Sequence, residues 1–100
     1  MKHIIRSYGE DCFLTFDPEQ AEKLSEYEWE TGNGTKVADG LFRTKNGRYF
    51  EKVVYSDNSD MSVEHLNPLQ AVDHYIIAHP GATEEDIRKV FGEEFQCREG

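Results

Sequence analysis

The chain has 100 residues, 37% of them hydrophobic, and 20 acidic against 11 basic side chains give it a net charge of −9. That length sets one domain with one modest core, and the charge argues against direct nucleic-acid binding, which needs clustered cations. No apolar run is long enough to span a bilayer, nothing at the start reads as a secretory signal, and two cysteines without an export signal suggest reduced thiols in the cytoplasm.

Residues 2–8 alternate weakly and predict a first strand, Gly9-Glu10-Asp11 a turn, and residues 12–16 a second strand, so that the two form a hairpin. Cys12 reads as a core thiol of that strand. A disulfide to Cys97 is the less favoured alternative. Asp17-Pro18-Glu19-Gln20 then carries a helix-start pattern: an N-cap, a proline at the first position and Gln at the third. The expected helix covers residues 17–29. Ala21, Leu24 and Tyr27 or Glu28 fall at helical spacing on its inner side, with Trp29 closing the run, and Glu19, Glu22, Glu26 and Glu30 would form its outer face.

Thr31-Gly32-Asn33-Gly34 is a loop. Its glycines make no phosphate cradle, because no helix follows to supply N–H groups. Residues 35–38 are expected to pair with a central hairpin, and Asp39-Gly40 reads as a tight turn or bulge. The hairpin itself, residues 41–50, has Asn46-Gly47 between two runs rich in aromatic residues. A two-residue turn there would place Lys45 opposite Arg48, Arg43 opposite Phe50 and Phe42 opposite Glu51. Arg43, Lys45 and Arg48 would then share one face of a basic ribbon. Residues 36–52 sum to +3, while residues 1–35 sum to −5 and residues 53–100 to −7. Such a ribbon suits an acidic partner or the protein's own acidic helices.

The second strand of this hairpin is expected to run on to residue 55. Asp57, Asn58 and Asp60 lie close together in the next loop, without the spacing, central glycine or terminal glutamate of an EF-hand. Residues 61–66 suggest a short edge strand. Asn67-Pro68-Leu69-Gln70 repeats the helix-start grammar, for a helix to about residue 79 with Leu69, Val72, Tyr75 and Ile76 as its apolar stripe. Thr83 caps a last helix, whose Glu84, Glu85 and Asp86 suit its N-terminus and whose Ile87, Val90 and Phe91 face inward. Gly92 stops it, and residues 93–100 read as a frayed tail. The whole is expected to be a single α+β domain: a small antiparallel sheet of five to six strands packed by two to three helices.

No nucleophile-and-base pattern, phosphate loop or zinc-protease motif appears. The richest cluster of possible metal ligands is Glu64 and His65, then Asp73, His74 and His79. Asp73 and His74 are adjacent on a helix, about 100° apart, and His74 and His79 are five residues apart.

Three resemblances accompany this reading. Residues 17–29 followed by Val63-Glu64-His65-Leu66-Asn67 resemble HNH homing-type nucleases of phages. That would imply Glu64 as a metal ligand, His65 as general base and Asn67 as its supporting amide, although the upstream His-Arg pair of that family is missing. Residues 76–87 resemble the first two helices of winged-helix regulators, which would imply a transcriptional adaptor. Residues 41–50 with Pro68, Leu69 and Ala71 are similar to small accessory proteins of phages and mobile elements, a family that implies a setting and no chemistry. The expectation is a non-enzymatic acidic binding protein that occludes a basic, nucleic-acid-binding surface of a host protein, in the manner of an anti-CRISPR inhibitor. Glu19, Glu22, Glu26 and Glu30 would form one docking patch, and Glu84, Glu85 and Asp86 a second. No metal or other cofactor is expected.

Overall fold

In residues 26–30, acidic and aromatic side chains alternate in steps of two, and that alternation decides the architecture. A computed structural model describes residues 1–57 and 61–100. In chain order it contains β1 (His3–Ser7), β2 (Cys12–Phe16), a 3-10 turn (Pro18–Gln20), β3 (Glu22–Glu30), β4 (Lys36–Arg43), β5 (Tyr49–Tyr55), β6 (Met61–Leu66), α1 (Pro68–Ala78) and α2 (Glu84–Phe91). The α+β class is as expected. The strands divide into two antiparallel sheets, β1-β2 and β3-β4-β5-β6, so neither sheet reaches the expected five to six strands. The Asn58 and Asp60 of the calcium-like loop lie outside the described residues.

The expected helix over residues 17–29 is not there. Asp17 does accept a hydrogen bond from the Glu19 N–H and Pro18 does open a turn, but the turn ends after three residues. Beyond it, Ser25, Tyr27 and Trp29 alternate with Glu26, Glu28 and Glu30, and a pleated strand sends the two sets to opposite faces. The capping signal was real; the period that followed it belonged to a strand. A register shift between Lys23 and Ser25 makes room for Leu24 as an extra residue.

The central hairpin also differs from the two-residue turn. Phe42 pairs with Phe50 and Arg43 with Tyr49, one residue away from the expected register. The Gly47 N–H donates to the Thr44 carbonyl and the Thr44 N–H to the Arg48 carbonyl. Only Gly47, at φ +80°, takes the left-handed conformation. This is a three-residue connection, a turn followed by a glycine bulge. Because side chains alternate, the slip sends Phe42 and Phe50 to the same face. Asp39 and Gly40 form no turn: they sit inside β4, opposite Val53 and Lys52.

The four-stranded sheet is covered on both sides. On one face, Phe42 and Phe50 pack with Phe16 of β2, and Ile5, Leu14, Ala21 and Val63 close around them. On the other, Leu41 and Leu66 pack with Ala71 of α1, joined by Leu24, Tyr49, Tyr75 and Phe91. Cys12 is exposed rather than in the core: it shares a face of β2 with Leu14 and Phe16 but stands at the strand's turn end, beyond the residues that pack. Both helices start as expected, with reciprocal capping boxes at Asn67 and Gln70 and at Thr83 and Asp86. The stripe of α1 is rotated from the expected one. Leu69 is 76% and Ile76 41% exposed, while Ala71, Val72 and His74 are buried. The residues after α2 have no regular structure, but the Cys97 N–H donates to Glu84 and holds them against the helix.

Candidate functional site

The expected docking residues fall on three elements. Glu19 belongs to the 3-10 turn, and Glu22, Glu26 and Glu30 belong to strand β3 instead of a helix. Glu22 pairs with Arg43 at 2.9 Å and Glu26 with Lys23 at 2.8 Å. On β3, Glu26, Glu28 and Glu30 share one face and all are exposed. Glu28, which the helical reading set at the inner spacing as the alternative to Tyr27, completes that row.

At the start of α2, Glu84 accepts from the Cys97 N–H and pairs with Arg88 at 3.4 Å. Asp86 accepts from the Thr83 N–H. Those N–H donors hold both carboxyls below their ordinary range. Glu85 alone of the three has no such tie among the described residues.

The basic ribbon does not form a shared surface. Arg43 turns to the helix side, donating from Nη1 to the Val90 carbonyl at 2.5 Å and from Nη2 to Glu22. Arg48 forks onto Glu10 in the β1–β2 turn, with both bonds at 3.0 Å. That fork holds the Glu10 carboxyl below its ordinary range. Lys45 stands exposed at the hairpin tip.

His65 lies under the β1–β2 turn. Its Nδ1 is 2.8 Å from Ser7 Oγ and its Nε2 3.5 Å from Glu10 Oε2. The order Ser, His, Glu resembles a catalytic triad, but Ser7 is 1% exposed and its Oγ also accepts the Glu10 N–H. No substrate reaches that oxygen, and its visible work is to pin the small hairpin to β6. The residues of the nuclease carry-over, Glu64, His65 and Asn67, do line one cavity of about 290 Å³ beside the β1–β2 turn. Within it Glu64 and His65 are neighbours on a strand and face opposite ways, and Asn67 is occupied in capping α1.

The densest chemistry lies elsewhere, where β4, β5 and α1 meet. His74 Nε2 stands 2.6 Å from Asp39 Oδ1 and 3.4 Å from Glu51 Oε2. The Tyr27 hydroxyl donates to Asp39 Oδ2 at 3.0 Å. Asp39 and His74 are buried, and Glu51 is half-buried. Burial pushes the Glu51 carboxyl up to about 7, and a hydrogen bond to Asp39 with the charges of Asp39 and Glu64 adds to the rise. Burial also pushes the Tyr27 hydroxyl up to about 12, helped by its bond to Asp39. His74 Nδ1 is buried with no partner among the described residues, so a proton on Nε2 leaves only an acceptor unmatched. A shallow depression of about 220 Å³ opens over the cluster, lined by Tyr27, Glu51, Gln70, Asp73, His74 and Ile77.

Sequence reasoning singled out His74 but joined it to Asp73, which is exposed at the edge of the depression and is not one of the three gathered donors. Asp39 had passed for a turn residue. A signal was present in the acidic residue between Ala38 and Leu41, where a strand interior normally excludes it.

No protein-family model matches the chain, and no curated protein or solved structure is detectably similar to it. No helix among the described residues is long and apolar enough to cross a membrane.

Proposed function

We propose that this chain is a small cytoplasmic binding protein that covers a basic, nucleic-acid-binding surface of another protein and carries out no reaction of its own. The setting we infer is a phage or mobile element, and the action that of an anti-CRISPR-type inhibitor. The observation that supports it is the row of Glu26, Glu28 and Glu30 along one face of β3, an edge strand of the sheet. Side chains two apart on a strand stand about 7 Å from each other on the same side. Three exposed carboxylates in line therefore present a regular negative rim. The net charge of −9 extends the same field over the molecule and speeds encounter with a basic partner. The pairing of Glu26 with Lys23 does not remove it from the row, because an exposed pair of this kind exchanges readily for a better partner.

The test is a pulldown from host lysate at low and at high salt, with wild type and with Glu26→Lys, Glu28→Lys and Glu30→Lys combined. A basic complex retained by wild type at low salt, and released both by salt and by the charge reversals, is the expected result. Retention unchanged by either treatment would refute the acidic-rim reading.

A further inference from the structure

The geometry points to a divalent transition-metal site formed by Asp39 Oδ1, Glu51 Oε2 and His74 Nε2, in which a single Zn²⁺-like ion replaces the hydrogen-bonded contacts. The three donors come from β4, β5 and α1, and all lie within 4.8 Å of one another. One imidazole nitrogen with two carboxylate oxygens is a donor set suited to Zn²⁺, Mn²⁺ or Fe²⁺.

The spacing fits with little movement. Donors around a tetrahedral ion at about 2.0–2.1 Å stand about 3.3 Å apart. Glu51 Oε2 already lies 3.4 Å from His74 Nε2. Asp39 Oδ1, at 2.6 Å, has to withdraw by about 0.7 Å as the ion enters.

Charge favours the same occupant. Two carboxylates are drawn out of water here, and among the described residues the only ion-pair partner of either is His74. A buried pair of acids without lysine or arginine is costly, and a cation between them relieves the cost. Tyr27 holds the outer oxygen of Asp39 and so fixes the direction of the inner one, as outer partners of metal ligands do. The depression beside Glu51 gives an entry path and leaves the fourth position to water.

One feature sets the strength. A ligating histidine ordinarily donates its other N–H to an acceptor, and His74 Nδ1 has none among the described residues. Loss of such a partner weakens binding by about 10–100-fold. The ion is therefore held more loosely than in a closed structural zinc site, and it exchanges with solution.

The test uses full-length protein stripped with a chelator, then titrated with Zn²⁺ by calorimetry and with Co²⁺ by visible absorption. Glu51→Gln is the decisive variant because Glu51 is the least buried of the three. Folding of each variant is checked by circular dichroism, and Cys12→Ser with Cys97→Ser removes both exposed thiols. The expected result is one equivalent bound by wild type and by the thiol-free protein, a Co²⁺ spectrum without thiolate bands, and a fall in affinity of about tenfold or more in folded Glu51→Gln. No binding by wild type, binding lost with the thiols, or equal affinity in Glu51→Gln would each overturn the assignment.

Discussion

Phe16 and Phe50 stack face to face, with ring centroids 4.6 Å apart and planes inclined by 16°, although one belongs to the small sheet and the other to the large one. Each is 1% exposed. The rings join two hairpins that share no ladder of backbone bonds, so side chains alone dock β1-β2 onto the sheet. Phe16→Ala is expected to cost about 3–5 kcal/mol in urea unfolding, the range for an aromatic removed from a core. A cost under about 1 kcal/mol would mean that the small hairpin contributes little to the fold.

Arg43 ties α2 to the sheet through the Val90 carbonyl while its other nitrogen holds Glu22. Arg43→Met keeps much of the stem and removes both bonds. Amide hydrogen exchange is then expected to speed up in Glu84–Phe91, with β1 and β2 unchanged. Uniform acceleration over the whole chain, or none, would contradict this local role.

Stability should fall as pH rises from about 4.5 to about 7. The folded protein keeps a proton on Glu51 across that window, where the unfolded chain has released it. A raised carboxyl pKa thus contributes stability below the window and loses it through the window. The change is on the order of 2 kcal/mol after allowance for the partial exposure of Glu51. The lowered carboxyls of Glu10, Asp17, Glu84 and Asp86 have the opposite sign and act at lower pH. Chemical unfolding with chelator present, comparing wild type with Glu51→Gln, isolates the effect. The variant should be the more stable at pH 8, and parallel profiles would disprove the assignment.

Two glycines of the central hairpin, one within β4 and one in its turn, answer to different physics. A Cβ on Gly40 would lie 3.1 Å from Cε2 of Phe42, whereas one on Gly47 meets nothing within 4 Å. Gly47→Ala is expected to cost about 1–2 kcal/mol from its left-handed backbone alone. Gly40→Ala displaces a core ring and should cost about 1–3 kcal/mol, with a change in near-ultraviolet circular dichroism. Thermal unfolding compares the two, and an unchanged aromatic spectrum in Gly40→Ala would count against the ring contact.

These particulars show which features the sequence revealed. Both α-helices were legible from Asn67-Pro68 and Thr83, because caps are local and a few residues decide them. Asp17-Pro18 carried the same local signal, and only the next nine residues told a helix from a turn leading into a strand. At Asn46-Gly47 the dipeptide fits more than one turn. The choice fell to the core, which gains by bringing Phe42 and Phe50 together. The cluster of Asp39, Glu51 and His74 was hidden for another reason. Its members come from three segments, and the folding of the sheet and helix supplies the adjacency that no spacing along the chain encodes.

Strand β3 borders the large sheet, and a border of unpaired amides invites another chain to continue it. The glutamates at 26, 28 and 30 discourage that, since a like strand laid alongside would set carboxylates near carboxylates. These side chains set a charge penalty on any such continuation of the sheet, a form of self-avoidance written into every second residue of its rim.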